Sequence, residues 1–163
     1  MKHFARMIIG ILVLTAIAFL PVTRGFLIEQ EDQERLKWIP TSSDTLIVGW
    51  RHSVERTPWY ETYRVEKDHS LRLESSTYQS YGAGTPDREG KAELLEDGYV
   101  RVTEIERHIP YYTLLYAPIS EYYVAVDNEK YFLKDIVDDY ESVIIRHKTV
   151  RLYEWVILQV RGE

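Results

Sequence analysis

Alternation of apolar and polar residues with a period of two is the feature that most constrains this chain, since it is typical of half-buried β-strands. The alternation is clearest along residues 59–66 and 71–78, and the four residues between them have the length of a hairpin connection. We therefore predict a mostly β fold, built as a single β-sandwich or a partly open barrel. Further strands are predicted at residues 45–50, 99–105, 111–117, 122–126, 130–132, 142–146 and 150–160.

One stretch departs from this alternation and predicts a short helix. Leu133, Ile136, Val137 and Tyr140 lie at helical spacing, with acidic residues on the opposite side. Two helical turns are too short to be stable alone, so this helix is expected to pack on the sheet. The last predicted strand, 150–160, has one apolar face, which Glu154 interrupts.

The first residues form a different kind of segment. Lys2 and Arg6 precede an apolar run of 16 residues, 7–22, which as a helix would span roughly 24 Å, less than the ~30 Å of a bilayer core. A signal peptide explains this run, because residues 16–18 have the small-x-small pattern of a cleavage site. A transmembrane anchor that stays uncleaved also explains it, because residues 26–28 extend the apolar character. Both interpretations stay open.

The charges on either side of this segment predict its orientation. Basic residues come before the apolar run, and four acidic residues between positions 29 and 34 follow it. The positive-inside rule then places the N-terminus in the cytoplasm and the body of the protein outside. We expect a single-pass protein of the cell membrane, or a protein secreted after signal cleavage. The predicted organisation is a signal peptide or membrane anchor at 1–28, a juxtamembrane spacer at 29–44 and an extracytoplasmic β domain at 45–163.

Charge and composition argue against some classes of partner and exclude some kinds of site. The chain has 20 Lys and Arg residues against 26 Asp and Glu residues, and the resulting net charge of −6 argues against nucleic acid as a partner. Cysteine is absent from the sequence, which excludes disulfides, thiolate metal sites and cysteine nucleophiles. We expect no cofactor.

Side chains able to take part in chemistry are densest between two predicted strands, at residues 50–61. His52, Ser53, Glu55 and Glu61 are the candidate binding residues in this first cluster, which also contains two tryptophans. A buried carboxylate without a partner is unfavourable by several kcal/mol. We therefore expect Glu61 to contact His52, an arginine or a backbone donor.

A second cluster, at residues 81–86, follows the strand that is predicted to pair with the Glu61 strand. Its candidate binding residues are Tyr81, Gly82 and Gly84. Glycines let the backbone approach a ligand closely and leave N–H groups accessible to an anion. Because loops at the same end of a sheet can meet, the two clusters are expected to form one corner.

Three more specific chemistries fit these clusters less well. His52, Glu55 and Glu61 are residue types that bind divalent metals, but a histidine that orients its loop by bonding to Glu61 explains them too. Ser53 beside His52 lacks the G-x-S-x-G elbow of a hydrolase, and neighbours on a strand point to opposite faces. The second cluster lacks the residues that complete a P-loop or a dinucleotide-binding loop. We therefore predict no catalytic residue and no metal ligand.

The two clusters together resemble a known family. The matching residues are the HSVE stretch at 52–55, the Thr-Pro pair at 57–58, Glu61 and the YGAGTP stretch at 81–86. They are similar to a small exported bacterial family of unknown function that is often encoded beside TAXI-type TRAP solute transporters. The resemblance extends over roughly residues 46–160, and it implies an exported or anchored protein that assists the import of small organic acids such as glutamate. Trp50 and Trp59 are bulkier than the family pattern, and the resemblance carries over no catalytic residue.

From these observations we predict a non-enzymatic extracytoplasmic accessory protein, which assists a TAXI-type TRAP transporter through protein–protein contact. Its expected partner is the transporter or its solute-binding subunit, and its N-terminal segment is expected to contact the membrane. The alternative is a small-ligand or metal-binding β domain that uses the corner of His52, Glu61 and Gly82–Gly84. A hydrolase is a third hypothesis, which requires a Ser–His–carboxylate geometry.

Overall fold

The computed structural model describes residues 2–31, 36–79 and 90–161. Within these residues the chain forms eleven strands, two α-helices and two short 3-10 turns, the latter at Pro118–Ser120 and Leu133–Asp135. In chain order the helices and strands are α1 (Lys2–Ala18), β1 (Pro21–Gln30), β2 (Leu36–Pro40), β3 (Thr45–Arg51), β4 (Pro58–Val65), β5 (Leu71–Tyr78), β6 (Lys91–Leu94), β7 (Val100–Ile109), β8 (Tyr112–Leu115), β9 (Tyr123–Val126), β10 (Glu129–Phe132), β11 (Ser142–Arg151) and α2 (Leu152–Arg161).

The described strands make two antiparallel sheets. The smaller sheet has four strands in the order β2-β1-β11-β8, and the larger has seven in the order β10-β9-β3-β4-β5-β7-β6. The mostly β fold is thus confirmed, and in the described part of the chain the strands form two separate sheets rather than a closed barrel.

The hydrophobic core lies between the two sheets. Phe26, Ile28 and Ile145 enter it from the smaller sheet, and Leu46 and Val48 enter it from the larger one. All five side chains are fully buried. Because side chains alternate between the faces of a strand, every second residue of the central strands belongs to this layer.

Strands β3, β4 and β5 lie where the alternation predicts them, with ends that differ by no more than one residue from the predicted ranges. Their register is antiparallel and places Trp50 opposite Trp59, and Trp59 opposite Tyr78. The sequence pattern therefore predicts the part of the larger sheet on which the first cluster of candidate residues lies.

Strands β1 and β2 occupy residues that the sequence analysis assigned to the membrane segment and the spacer. Residues 25–30 are all buried, because Phe26 and Ile28 face the core while Leu27 packs on the other side against Trp38 and Val150. A strand buried on both faces shows no alternation, so its apolar run merges with the preceding one. The sandwich begins at Pro21, and cleavage near Ala18 would leave it whole.

The helix predicted from Leu133 to Tyr140 is reduced to one 3-10 turn, Leu133–Asp135. Leu133 is fully buried, as its position in the predicted apolar stripe requires. The backbone N–H of Asp138 donates to the side-chain Oε1 of Gln30 at 3.0 Å, and that of Tyr140 donates to the carbonyl of Tyr116 at 2.9 Å. These long-range bonds replace the bonds that a second helical turn would make.

The predicted final strand ends at Arg151, and residues 152–161 form α2 instead. Glu154 accounts for this change, because its Oε2 accepts the backbone N–H of Arg151 at 3.0 Å. A glutamate at the third helical position that reaches back to the capping residue is half of a capping box. The β-branched residues of this stretch suggested a strand, but the cap and the helical spacing of its apolar residues decide the structure.

Helix α1 has 17 residues, and its side chains from His3 to Ile17 are exposed. Among the described residues, no helix combines the length and the apolar character that crossing a bilayer requires. The backbone N–H of Leu152 donates to the carbonyl of Leu20 at 3.0 Å, which holds the beginning of α2 beside the end of α1.

The two ends of the sandwich are therefore different. We call the end that carries α1, α2 and the β4–β5 turn the helix end. The opposite end carries the β3–β4 loop, residues 52–57, and we call it the loop end. The candidate residues of the first cluster lie at the loop end.

Candidate functional site

The β3–β4 loop is held closed by its own backbone and by His52. The backbone N–H of His52 donates to the carbonyl of Thr57, and that of Arg56 donates to the carbonyl of His52, both at 2.9 Å. The Nδ1 atom of His52 accepts the backbone N–H groups of Val54 and Glu55, each at 3.3 Å. Because Nδ1 is the acceptor, the neutral ring carries its proton on Nε2. His52 thus orients this loop through backbone donors, and not through the expected hydrogen bond to Glu61, whose Oε2 accepts from Tyr63.

A row of stacked aromatic rings crosses the inner face of the larger sheet at the loop end. Trp50 stacks on Trp59 with ring centroids 5.3 Å apart, and on its other side it stacks on Tyr122 at 5.6 Å. Trp59 in turn contacts Tyr78 at 4.9 Å and His52 at 5.9 Å. We call Tyr122, Trp50, Trp59 and Tyr78 the aromatic row.

Trp59 is the buried centre of the aromatic row. Its ring is only 3 % exposed, and its indole N–H donates to Ser76 Oγ at 2.9 Å. The row forms because Trp50, Trp59 and Tyr78 are cross-strand neighbours on three adjacent strands. Such aromatic pairs contribute about 0.5–1.5 kcal/mol each beyond the area they bury. The aromatic row is therefore a tightly packed apolar layer at the loop end.

Glu61 lies next to the aromatic row, two residues beyond Trp59 on the same face of β4. Its Oε2 accepts the hydroxyl of Tyr63 at 2.6 Å. Burial raises the pKa of the Glu61 carboxyl above its ordinary value, while the Tyr63 hydrogen bond and the charge of Arg107 offset part of that rise. Arg107 thus acts on Glu61 through its charge, and the hydrogen-bond donor that Glu61 uses is a phenol.

Tyrosines from both sheets surround this carboxyl group. Tyr63 packs edge-on against Tyr112 of β8, with ring centroids 5.5 Å apart. Burial and the negative charge of Glu61 raise the pKa of Tyr112, and they act in the same direction on Tyr122. We call His52, Glu61 and the aromatic row together the loop-end corner. Trp59 and Tyr78 are buried in the core, whereas Trp50, His52, Glu61 and Tyr122 are partly exposed, so the corner offers one carboxyl group, one imidazole and two aromatic rings, a combination typical of binding sites.

Of the other candidates, the structure describes only Ser53 and Glu55. Ser53 and Glu55 lie in the exposed part of the loop, where they face solvent. Tyr81, Gly82 and Gly84 lie outside the described residues, so their predicted position facing the first cluster stays a prediction. The described range 36–79 ends one residue after Tyr78, whose ring belongs to the aromatic row.

A metal centre is not indicated by the described residues. In the ranges 2–31, 36–79 and 90–161, no group of three or more histidine, aspartate or glutamate side chains is placed to hold a metal ion. His52 uses Nδ1 for its own loop, and Glu61 Oε2 accepts from Tyr63.

The tyrosines of the corner were not predicted as site residues. Tyr122 shares the inner-face parity of Val124, which alternation alone would show. Tyr78 does not follow the parity of Leu71 and Leu73, because a register shift in β5 between Leu73 and Ser75 reverses the face of the residues that follow. Tyr112 belongs to the other sheet, and its approach to Tyr63 depends on how the two sheets pack. The signal for Tyr122 was therefore present in the sequence, and the signals for Tyr78 and Tyr112 were not.

Two histidines meet at the helix end, although no sequence pattern connects them. His69, in the β4–β5 turn, and His147, on β11, bring their Nδ1 atoms within 2.7 Å of each other. One ring must donate and the other accept, which requires an N–H on only one of the two nitrogens. Burial, followed by the proximity of His69 and Arg24, lowers the pKa of His147 to about 4.

Comparison with known proteins identifies part of the chain. A family described as a domain of unknown function, DUF1850, matches residues 46–133, which is more than half of the chain. Searches of curated proteins and of solved structures gave no match. The match extends from β3 to β10 and includes the described residues of the loop-end corner.

Proposed function

Because the chain belongs to the DUF1850 family of domains of unknown function, we propose a function from its geometry: it is a non-enzymatic binding domain that recognises a partner at the loop-end corner. One observation carries this proposal. Glu61 is held half-buried between the aromatic row and tyrosines of both sheets. A carboxyl group in this position is unfavourable for folding. Its presence is explained if it meets a hydrogen-bonding group of a partner.

The partner in this proposal is a TAXI-type TRAP transporter or its solute-binding subunit, which the protein assists from outside the cytoplasm. The resemblance of the HSVE and YGAGTP stretches supports this choice. The first 24 residues contain three basic and no acidic residues, so the remainder is more acidic than the whole chain, whose net charge is −6. An acidic body stays soluble beside an anionic membrane.

Capture from native membranes tests this proposal. The full-length protein serves as bait after crosslinking, and transporter subunits are quantified by mass spectrometry. His52→Ala and Glu61→Gln are each expected to reduce their recovery severalfold. Glu129→Gln is the matched control, because Glu129 accepts the hydroxyl of Tyr131 at 2.7 Å in the same i, i+2 geometry, but is exposed.

The possible outcomes separate the two parts of the proposal. If both corner variants fold and capture as much transporter as the unmodified chain, the corner is structural. If they lose a partner that is not a transporter subunit, the corner binds but the transporter assignment is wrong. Loss in Glu129→Gln as well would point to a general effect of removing an acidic residue.

A second candidate function is the binding of a small organic acid. A cavity of about 290 Å³ adjoins the aromatic row at Tyr122, and its other lining residues are Tyr116, Pro118, Glu121, Phe132 and Lys134. The carboxylate of Glu121 is paired with Arg51 at 3.2 Å. This volume is close to the lower end of ligand pockets, roughly 300 Å³. The ammonium group of Lys134 would meet a carboxylate there. Glutamate at millimolar concentration should then raise the melting temperature, and Lys134→Gln should abolish that rise.

The proposed location also has a direct test. Protease added to intact protoplasts is expected to digest residues 45–160, and protection of this region until lysis would contradict it. The mass of the mature protein distinguishes removal near Ala18 from retention of an anchor. A soluble cytoplasmic product that keeps Met1 fits neither form of the proposal.

A further inference from the structure

Helix α2 has an apolar stripe that faces away from the sandwich. Tyr153, Val156, Ile157 and Val160 lie at i, i+3, i+4 and i+7, so they share one face of the helix. Their exposed fractions are 38, 49, 51 and 75 %. An amphipathic helix on a soluble domain normally turns such a stripe toward the core. Here the stripe is presented outward.

The opposite side of α2 fixes it to the sandwich. Leu158 packs against Leu27 and Val150 in a second, smaller apolar cluster. Glu154 caps the helix through the Arg151 N–H and also accepts from Lys148 Nζ at 3.2 Å. The outward direction of the stripe is therefore set by contacts on the other face.

The stripe is continuous with the end of α1. The rings of Phe19 and Tyr153 lie 5.1 Å apart, and the Arg151 guanidinium lies 5.4 Å from the centre of the Phe19 ring. Phe19 and Leu20 are themselves more than half exposed. The two helices thus present one exposed apolar surface at the helix end, and such surfaces mark interaction sites.

The exposure of α1 indicates what covers this surface. Ile11, Leu12, Val13 and Leu14 are consecutive residues and are each more than half exposed. Four consecutive residues cover a full turn, so α1 is apolar on every side. A groove on a protein would cover one stripe of such a helix, whereas lipid surrounds it completely.

Charge points to the same occupant. Lys2 and Arg6 are the charged residues of α1, and their positive charge complements anionic headgroups. Tyrosine favours the boundary between headgroups and acyl chains, and Tyr153 lies in the stripe. A stripe one helix face wide, on a helix only ten residues long, suits the plane of the membrane surface.

We propose that α2 lies flat on a phospholipid bilayer beside α1, with the stripe of Tyr153, Val156, Ile157 and Val160 at the boundary between headgroups and acyl chains. This arrangement rests on the membrane location in the proposed function. It holds the helix end against the membrane and directs the loop-end corner away from it, toward the extracytoplasmic side.

Single-cysteine labelling tests the arrangement, since the chain has no cysteine of its own. Val160→Cys and Val54→Cys are matched variants, because the two valines are 75 and 74 % exposed at opposite ends of the molecule. Each full-length variant carries an environment-sensitive fluorophore and is reconstituted into vesicles of phosphatidylcholine and phosphatidylglycerol. Brominated acyl chains should quench the Val160 label severalfold more than the Val54 label. Adding Ile157→Asp to the Val160 variant should remove most of that quenching.

Other outcomes overturn the proposal. Equal and weak quenching at both positions would show that α2 is in water. Shielding of the Val160 label that is insensitive to bromine and disappears on dilution with unlabelled protein would show that a second copy covers the stripe. Either result leaves the capture experiment with His52→Ala and Glu61→Gln unaffected, so the two proposals fail separately.

Discussion

The two ends of the sandwich both bury ionisable side chains, but of opposite kinds. The loop end holds the carboxyl group of Glu61 beside the aromatic row, and the helix end holds the imidazoles of His69 and His147. Burial favours the neutral form in each case, so it raises the pKa of Glu61 and lowers that of His147 to about 4. Acid should therefore affect the ends in opposite directions. The comparison separates a proposed binding corner from a contact that joins the sheets.

The largest expected effect is the loss of stability when the loop end loses the side chain of Trp59. Trp59→Ala removes the centre of the aromatic row and the hydrogen bond to Ser76. Replacing a buried tryptophan by alanine lowers the free energy of unfolding by about 3–5 kcal/mol. Denaturant titration followed by circular dichroism measures this loss.

The control for this change is a tryptophan at the other end. Trp155, on α2, is 39 % exposed, whereas Trp59 is 3 % exposed. We expect Trp155→Ala to lower the free energy of unfolding by less than about 1 kcal/mol. A loss in Trp59→Ala as small as that expected for Trp155→Ala would mean that the aromatic row adds nothing to the stability of the loop end.

The next effect is a pH dependence of the free energy of unfolding, which distinguishes the two ends. His147 has a pKa of about 4 when folded, below the ordinary value of 6.5, so the unfolded chain binds its proton first. The free energy of unfolding should therefore fall as the pH is lowered from about 6.5 to about 4, and the loss from this group is complete below that window. Each pKa unit corresponds to about 1.4 kcal/mol, which gives a loss of roughly 3 kcal/mol.

Thermal unfolding across this pH range measures the loss, and two variants identify its source. His147→Gln should flatten the dependence, because its side chain does not titrate. His52→Ala, at the loop end, should keep it. If His147→Gln retains the full acid dependence, another group is responsible and the histidine pair does not respond to acid.

The third effect is smaller and has the opposite sign. The folded-state pKa of Glu61 is raised, chiefly by burial, so the folded protein binds this proton more readily than the unfolded chain. The contribution of Glu61 is therefore favourable in acid and is lost as the pH rises through its folded pKa. Glu61→Gln should be as stable as the unmodified chain or slightly more stable at neutral pH, by less than about 1 kcal/mol, because an amide oxygen still accepts from Tyr63. A marked loss of stability at neutral pH would show that the charged carboxylate holds the corner together.

How much of this was predictable depends on which contacts are local. Strands β3, β4 and β5 follow from alternation. Alternation also places Glu61 on the same face of β4 as Trp59. β1 could not be found in this way, because residues 25–30 are buried on both sides and directly follow the apolar run of α1. The strand predicted over residues 152–160 was wrong because a capping contact of Glu154 outweighs the β-branched residues.

The contacts between the sheets were beyond sequence reasoning for a different reason. His69 and His147 are 78 positions apart, and Tyr63 meets Tyr112 only when the two sheets pack face to face. Neither pair has a spacing that a pattern would reveal. Alternation thus predicts the strands that carry the described part of the corner, but it does not predict which groups surround Glu61.

The smallest expected effect tests whether burial, rather than the pairing itself, makes the loop end distinct. Glu129 and Tyr131 repeat the i, i+2 hydrogen bond of Glu61 and Tyr63, at 2.7 against 2.6 Å, but Glu129 is exposed. Partial burial and the bond to Glu129 raise the pKa of Tyr131 to about 12. Glu129→Gln should return this pKa toward 10, measured by ultraviolet titration, and change the free energy of unfolding by less than about 0.5 kcal/mol. If Glu129→Gln instead reproduced the acid response or the capture loss of Glu61→Gln, a glutamate–tyrosine pair on any strand would suffice. The enclosure by both sheets would then explain nothing about Glu61.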